Sequence, residues 1–395
     1  MNGTRIDEQR YRVPGVYLEE GFLLPHGAEF TTGVPLFLGL TTKLPPPATK
    51  NADPAAPRLI NLWSQFCSAF GDPKPGRYLA EAVHGFFKNG GETCYVAPIE
   101  ALTDWDISEA LQKTERLNAI DLVCAPDIAA IADSDEFFRL QQKLVQHCED
   151  MGTRFAILDC RQNDGPDDVY RQWFEIDGYN GAIYYPWIRI AGFDQKTVAV
   201  PPCGHIAGIY ARTDRQFGVH KAPANEAVAG ALDLARPVSD KDQASLNPRG
   251  VNCLRFFPGR GIRVWGARTL SGQKAWQYIS VRRLFLMAAR WMEWQMSDIV
   301  FEPNDPQLWA RVERELTTFF IGQFRRGALV GATPEEAFYV RCNAVTNPPE
   351  VRESGQVVTE IGLAPALPRE FVIVRLLHGP RGATIEGPSG PEEQI

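Results

Sequence analysis

Short apolar runs alternate with longer stretches of helical spacing through the first half of the chain. The run at 34–40, VPLFLGL, is apolar throughout and predicts a buried strand. Similar patterns predict helices at 63–70, 77–89, 107–117, 134–151 and 167–176, and strands at 93–98, 120–124, 155–159 and 182–190. Because the alternation is most regular between Asp104 and Ile209, we expect a parallel or mixed sheet covered by helices there.

Two long helices are predicted in the last third of the chain. The first, at about 280–296, is apolar on nearly all sides and is therefore expected to be buried. The second begins with Asp305 as N-cap and Pro306 in its first turn, and ends before Gly327. Four tryptophans lie in this region, and core packing between the two helices explains them more simply than a stacking platform for sugars or bases: Trp276, Trp291, Trp294 and Trp309.

Both ends of the chain carry segments that are predicted to form strands. Near the start, ten polar residues precede the segment 13–18, and its Pro14 fits the beginning or the edge of a sheet. Near the end, strands are predicted at 357–362 and 370–377, followed by a Gly/Pro-rich tail. Since terminal segments stay disordered unless they dock, and the segment 13–18 has little apolar surface of its own, we expect it to need a partner sheet.

These patterns predict an α+β fold that contains an inserted α/β domain. The division is an N-terminal arm at 1–30, a first part of the core domain at 31–103 and the inserted α/β domain at 104–246. The second part of the core domain follows at 247–368, and the C-terminal strand and flexible tail occupy 369–395.

Composition and charge exclude several classes of protein. The 395 residues carry a formal charge of −7 with both signs interspersed, which argues against a nucleic-acid coat or a polybasic membrane binder. The first residues lack the apolar core of a secretion signal, and no apolar stretch approaches the ~20 residues needed to cross a bilayer. The eight cysteines are spaced singly and are predicted to be free thiols of a protein that folds in the cytosol.

The sequence contains no motif that predicts catalysis, a cofactor or a metal. It has no GxxxxGK[ST] and no GxSxG, and the glycines of PGRGIRVWGA at 258–267 lack the GxGxxG spacing. Cys203 and His205 would lie on one face if they alternate on a strand, but they are interpreted as structural residues. The six histidines show no ligand spacing. We therefore predict that the protein is not an enzyme.

Seven ordered segments resemble those of the contractile tail sheath family. Their sequences are YRVPGVYLEE (11–20), GVPLFLGLTTK (33–43), FFKNGGETCYV (86–96), GHIAGIYARTDRQFGVHKAPANE (204–226), NPRGVNCLRFFPGRGIRVWGARTLSGQKAWQYISVRRLFLMAARWMEWQMSDIVFEPN (247–304), GALVGATPEEAFYVRCNAVTNPPEV (327–351) and EIGLAPALPREFVIVRL (360–376). The resemblance covers nearly the whole chain. It looks closest to the sheaths of extracellular contractile injection systems, although many phage sheaths share the pattern.

The resemblance implies a tail-sheath fold whose terminal arms exchange β-strands with neighbouring subunits. The residues assigned to those strands are Val13, Val16, Tyr17, Leu18, Phe371, Val372, Ile373 and Val374. It also implies a function: the subunit polymerises helically around an inner tube and contracts to drive that tube through a target envelope. No cofactor is expected, since the energy would be stored in the assembly.

The same resemblance implies a set of partners and a place of assembly. The partners would be further copies of the chain, the inner tube protein, baseplate and terminator or cap proteins, and sheath paralogues, with no nucleic acid and no membrane insertion. Assembly would take place in the bacterial cytoplasm, within a phage tail or a tail-like particle that is later released. The predicted tube contacts are Arg311, Arg314, Arg325 and Arg326. An α/β-domain enzyme and a monomeric binding module stay open as alternatives.

Overall fold

The computed structural model describes residues 30–45, 53–295, 302–353 and 355–368, together with the backbone of strands at 375–379 and 382–386. The compact unit that contains these residues begins at Thr31. Its strands are β1 (Pro35–Leu40), β2 (Arg58–Ile60), β3 (Cys94–Ile99), β4 (Leu122–Cys124), β5 (Phe155–Asp159), β6 (Gly181–Tyr185), β7 (Ile188–Ala191), β8 (Thr197–Val200), β9 (Ala231–Leu234), β10 (Val251–Phe257), β11 (Gly261–Trp265), β12 (Phe338–Arg341), β13 (Glu360–Leu363), β14 (Arg375–Gly379) and β15 (Gly382–Glu386). Its helices are α1 (Trp63–Phe70), α2 (Leu79–Lys88), α3 (Asp104–Gln112), α4 (Ser134–Met151), α5 (Pro166–Glu175), α6 (Cys203–Phe217), α7 (Asp240–Leu246), α8 (Ile279–Gln295), α9 (Pro306–Arg325), α10 (Pro334–Ala337) and α11 (Pro349–Glu353).

One eight-stranded sheet organises most of the described chain. Its strand order is β11-β10-β6-β5-β4-β1-β3-β2. The six central strands run parallel, whereas the edge strands β2 and β11 are antiparallel to their neighbours. Because the chain begins in the middle of the sheet at β1 and extends to both sides, the sheet is doubly wound.

Helices cover both faces of this sheet. Side chains of alternating strand residues point to opposite faces, so Phe37 contributes to the core on one side, and Leu36 and Leu38 contribute to the core on the other. The first core includes residues of α2 and α6, and the second includes residues of α3 and α4. Such a three-layer arrangement leaves the central strands buried on both faces.

Helices α2 and α6 lie close together because glycines occupy their contact. A Cβ atom built on Gly204 would lie 2.2 Å from the carbonyl oxygen of Ala82, and one on Gly85 would lie 2.4 Å from the ring of His205. Any larger residue at these two positions would separate the helices.

The strand order does not follow the predicted division of the chain. Strands β1 and β3 come from 31–103, β4 to β6 from 104–246, and β10 and β11 from 247–368, yet all lie in one sheet. The boundaries predicted at 103/104 and 246/247 therefore do not separate independent sheets. The pattern of helices and strands is local, whereas the pairing of Leu36 with Val123 joins residues that are distant in sequence.

Three local predictions also differ from the structure. The strand predicted at 182–190 is two strands, β6 and β7, separated by Pro186, which cannot donate a ladder hydrogen bond. Cys203 and His205 lie in helix α6 rather than on a strand, because Pro201 and Pro202 precede the helix start. At the C-terminus, β15 lies in a segment that was predicted to be a tail, and it pairs with β14 as a hairpin.

A second, smaller core lies between α8, α9 and the two-stranded sheet β12-β13. We call these elements the C-terminal module. Trp291 of α8 stacks on Phe319 of α9 with their ring centroids 4.1 Å apart, and Trp309 is buried in the same core. The predicted core packing is thus confirmed for these two tryptophans. Trp294 is 42% exposed, and Trp276 packs against Phe285 outside this core.

Candidate functional surfaces

Helix α9 presents the surface on which the predicted tube contacts lie. The carboxylate of Asp305 caps it by accepting from the backbone N–H groups of Gln307 and Leu308, at 2.9 and 3.0 Å. Its apolar side packs into the C-terminal module, so its other side carries exposed Arg314 and Arg325. These two residues are eleven positions apart, which is about three helical turns and therefore the same face.

The four predicted contact arginines do not share one environment. The side chains of Arg314, Arg325 and Arg326 are exposed. In contrast, the guanidinium of Arg311 lies 2.7 Å from a carboxylate oxygen of Glu302 and 3.0 Å from one of Glu315. Those two carboxylates offset the positive charge of Arg311.

The end of α9 lies near a histidine that sequence reasoning did not single out. Burial and, secondly, the positive charge of Arg326 lower the pKa of His220. The neutral form of this ring is therefore favoured, and the positive charge at this end of the surface comes from the arginines.

A buried charge network connects α8 to the sheet. It consists of Asp121, Asp214, Arg283 and Arg290. The guanidinium of Arg283 binds both carboxylate oxygens of Asp214, at 2.9 and 2.6 Å, and lies 3.1 Å from Asp121. Arg290 lies 3.7 Å from the other oxygen of Asp121. Burial opposes the charge of Arg283, yet the two carboxylates together raise its pKa above the usual value. Arg283 is therefore charged at any pH at which the protein is folded.

The apolar pattern of 280–296 predicted a buried helix but not this network. The sequence nevertheless contains a signal for the network. Arg283 and Arg290 are seven positions apart and so lie on one face of α8. Arginines that share a face of an otherwise buried helix must be paired with carboxylates, since an unpaired buried charge is costly.

The place where a doubly wound sheet binds ligands is filled in this protein. Such sites lie at the carboxyl ends of the strands where the winding reverses, which here are the ends of β1 and β4. The buried carboxylate of Asp127 occupies this position and accepts from the backbone N–H groups of Leu40 and Tyr78, at 2.7 and 2.5 Å. A Cβ atom on Gly39 would lie 2.5 Å from Asp127. A neighbouring cavity lined by Thr41, among others, measures only about 10 Å³.

Cys203 and His205 do not form a nucleophile and base. They are two positions apart on α6, so their side chains diverge by about 200° around the helix. Burial raises the pKa of the Cys203 thiol well above its usual value and lowers the pKa of His205 to about 3. A neutral thiol and a buried neutral imidazole fit the structural interpretation. Within the described ranges, no group of three His, Cys, Asp or Glu side chains is placed to hold a metal ion.

The predicted arm strands lie outside the described residues. This applies to both sets: Val13, Val16, Tyr17 and Leu18, and Phe371, Val372, Ile373 and Val374. In the part of the chain that the structure describes, β12 and β13 form a sheet of only two strands. No helix in that part has both the length and the hydropathy required to span a membrane.

Comparison with known proteins connects these features to one family. The family model described as "Phage tail sheath protein central domain" matches residues 100–270. A curated relative, the putative prophage major tail sheath protein of Pseudomonas aeruginosa (strain UCBPP-PA14), is 31% identical over 86 residues, which is 20% of this chain and 22% of that protein. The chain thus spans less than a quarter of the length of that curated relative.

Solved structures extend the similarity to nearly the whole chain. The helical sheath of the anti-feeding prophage (AFP) in its contracted state is 30% identical, with a TM-score of 0.76 over 93% of this chain and 100% of that chain. The chain belongs to the contractile tail sheath family. The contracted sheath complex of PVC, an extracellular contractile injection system, is also similar, with 27% identity and a TM-score of 0.74 over 94% of this chain and 99% of that one. The family prediction made from the sequence is confirmed.

Proposed function

We propose that this sheath protein polymerises helically around an inner tube and contracts to drive the tube through a target envelope. The observation that carries the proposal is the similarity to the contracted AFP helical sheath over 93% of the chain. The particle would be an extracellular contractile injection system rather than a phage tail, because the AFP and PVC similarities cover both chains almost completely. Neither an enzyme nor a monomeric binding module is favoured by a feature of the described residues.

The sheet β12-β13 is the proposed acceptor of strands from neighbouring subunits. A sheet of two strands is marginal by itself and gains stability when further strands extend it. Strand addition supplies main-chain hydrogen bonds, and side-chain pockets determine the register. The donor segments would be 13–18 and 371–374, as the family resemblance implies. Chains connected in this way would stay linked while subunits rotate and slide, with residues 21–27 and 363–368 as the proposed hinges.

The proposed tube surface is the exposed face of α9 with Arg314, Arg325 and Arg326, and with Arg311 as a weaker contact. Positive charge on this face would complement an acidic tube surface. A charge reversal, Arg325→Glu with Arg326→Glu, should abolish co-purification with the co-expressed inner tube protein. The matched control reverses two exposed arginines of α4 and α5, Arg139→Glu with Arg171→Glu, and should retain co-purification. Equal tube binding by both variants would contradict the assignment.

Contraction needs no nucleotide in this proposal. If each subunit gains only ~1 to 3 kcal/mol on repacking, the sum over a long helical polymer is large. Further partners would be baseplate and terminator or cap proteins and sheath paralogues, in a particle assembled in the bacterial cytoplasm.

Negative-stain electron microscopy of the purified chain tests the proposal. We expect tubes or rings from the intact chain, and their loss when residues 1–22 are deleted. A variant that lacks only residues 1–10 is the matched control, since it keeps the β-prone segment and should still assemble. Circular dichroism would show that all three proteins are folded. Monodisperse particles from the intact chain in the presence of its tube protein would overturn the proposal.

A further inference from the structure

The first four residues of the compact unit are all held by the buried charge network. Arg290 donates a hydrogen bond to the carbonyl oxygen of Thr31. The side chain of Thr32 interacts with the Asp214 carboxylate and favours its charged form. The two oxygens of Asp121 accept from the backbone N–H groups of Gly33 and Val34, at 2.9 and 2.6 Å. The four members of the network thus hold Thr31 to Val34 through α6, α8 and the residue before β4.

Sterics restrict the same residues. Gly33 has a φ of +75°, and a Cβ atom on it would lie 2.5 Å from the Cα atom of Ala211 on α6. Only glycine adopts this conformation so close to a helix without strain. The backbone N–H of Asp121 also donates to the carbonyl oxygen of Val34, at 3.1 Å. The chain therefore enters β1 through a position that both packing and hydrogen bonds define.

Stability alone does not account for a charge network at this position. Buried ion pairs are often no more stabilising than well-packed apolar side chains of similar volume, because both charges lose their hydration. Charged groups add a dependence on geometry, since charge-assisted hydrogen bonds to backbone groups weaken steeply when the donor and acceptor are misaligned. An apolar contact would let a chain segment slide, whereas these bonds hold individual backbone atoms.

We infer that Asp121, Asp214, Arg283 and Arg290 form an anchor that holds the base of the N-terminal arm, residues 31–34, against mechanical force. The inference rests on the proposed function, in which arms link subunits during contraction. Any load on the segment before Thr31 must pass through Thr31 to Val34 to reach the sheet, because the chain is continuous there. The anchor transfers that load to α6 and α8 before it reaches the hydrogen bonds of β1. Arg283 keeps Asp121 oriented, and Asp121 and Arg290 bind the loaded backbone.

Hydrogen exchange of the backbone amides tests the anchor in the full-length, unassembled protein. Arg290→Gln removes the hydrogen bond to the Thr31 carbonyl and the ion pair with Asp121. The adjacent amides of Gly33 and Val34, which donate to Asp121, should therefore exchange about tenfold faster. The amides of β5 should be unchanged. The matched control is Arg255→Gln, which removes an arginine that pairs with Asp240. It should leave both regions as in the unmodified protein.

A milder variant covers the case in which Arg290→Gln does not fold. Thr32→Val keeps the side-chain shape and removes only the hydroxyl that interacts with Asp214. It should still accelerate exchange at 31–34 relative to β5. Unchanged exchange at 31–34, or equal acceleration in β5, would mean that the network acts only on global stability, and would overturn the anchor.

A second measurement addresses the load itself. Tubes assembled from Thr32→Val should break into shorter pieces than unmodified tubes under the same shear, as measured by electron microscopy. Equal lengths after shear would overturn the role of the anchor against mechanical force. If the unmodified chain forms no tubes, the proposed function fails, while the exchange experiment still decides whether Thr31 to Val34 are anchored.

Discussion

Helices α8 and α9 lie side by side in the C-terminal module, and both carry arginines at helical spacing. On α8, Arg283 and Arg290 are each only 4% exposed. Their partners are Asp214 of α6 and Asp121, which precedes β4. On α9, Arg314 and Arg325 face solvent, and Arg311 pairs with carboxylates in its own neighbourhood. The two helices also share a core through the stacked rings of Trp291 and Phe319. The same residue type is therefore buried and paired with distant aspartates on one helix, and exposed to solvent on the next.

Burial, rather than residue type, decides what an arginine contributes to folding and to binding. A buried guanidinium cannot find water when its partner is removed, so its removal leaves an uncompensated charge. An exposed guanidinium is solvated with or without a partner, so its contribution to folding is small and its charge remains available for binding. Substitutions on the two helices should separate these roles.

The largest expected effect comes from removing one buried partner. Arg283→Met should lower the free energy of unfolding by about 3 to 5 kcal/mol, because Asp121 and Asp214 then lose their shared cation. The matched change on α9, Arg314→Met, should alter it by no more than about 0.5 kcal/mol. Urea denaturation of both variants measures the difference. Similar losses in the two variants would break the comparison.

Substitution of a buried carboxyl group, that of Glu81, should raise the free energy of unfolding rather than lower it. Burial and, secondarily, the charge of Asp127 raise the pKa of Glu81 to about 7, and the Oε2 atom of Glu81 is buried and unbonded. The folded state therefore holds this proton more tightly than the unfolded state, so the contribution of Glu81 to stability is present at low pH and is lost as pH rises to about 7.

Glu81→Gln should accordingly stabilise the protein by about 2 to 3 kcal/mol at pH 8 and have little effect near pH 4. Thermal unfolding at the two pH values provides the measurement. Glu175→Gln, at an exposed position of α5, is the control and should show no such dependence. A stabilisation that is the same at both pH values would contradict the assignment.

A smaller effect is expected at the start of α9, where the helix depends on its cap. Asp305→Ala removes the acceptor for two backbone N–H groups and should cost about 1 kcal/mol in urea denaturation. Asp305→Asn keeps an acceptor oxygen and should recover most of that loss. If Asn were no better than Ala, the charge of Asp305 rather than its cap would be responsible.

The smallest effect is expected for the surface ion pairs of α9. Arg311→Gln loses its contacts with Glu302 and Glu315, which should cost less than about 1 kcal/mol and less still at high salt. Urea denaturation at low and high ionic strength measures both values. A loss that persists unchanged in high salt would indicate that Arg311 acts through packing of its aliphatic stem.

Elements whose signals are local could be predicted well. Helix α4 and strand β5 have the boundaries predicted for them, because helical spacing ends at Gly152 and an apolar run follows at once. The Asp305 cap of α9 was also predicted, since an acidic residue before a proline is a strong start signal. The family itself could be predicted from the order of its motifs.

Features that depend on distant pairing could not be predicted in the same way. Nothing local in 34–40 shows that β1 lies between β3 and β4, and the predicted domain boundaries divided this sheet as a result. The candidate tube surface was predicted as four equal arginines, yet the carboxylate of Glu302, nine positions away, offsets Arg311. The arm strands stay a prediction, as do the boundaries of the domains.

The amino-acid sequence was enough to predict the main helices and strands, the helix cap at Asp305 and the family. Each of these depends on the spacing of residues over a few positions, which sets the backbone preference and places apolar side chains on one face. Only the tertiary structure decided which charges are buried. Asp121, Asp214 and Arg283 are far apart along the chain, and they meet because β4, α6 and α8 pack against one another. Side-chain burial is a property of that packing, and it separates Arg283, which is buried against two aspartates, from Arg314, which is exposed to solvent.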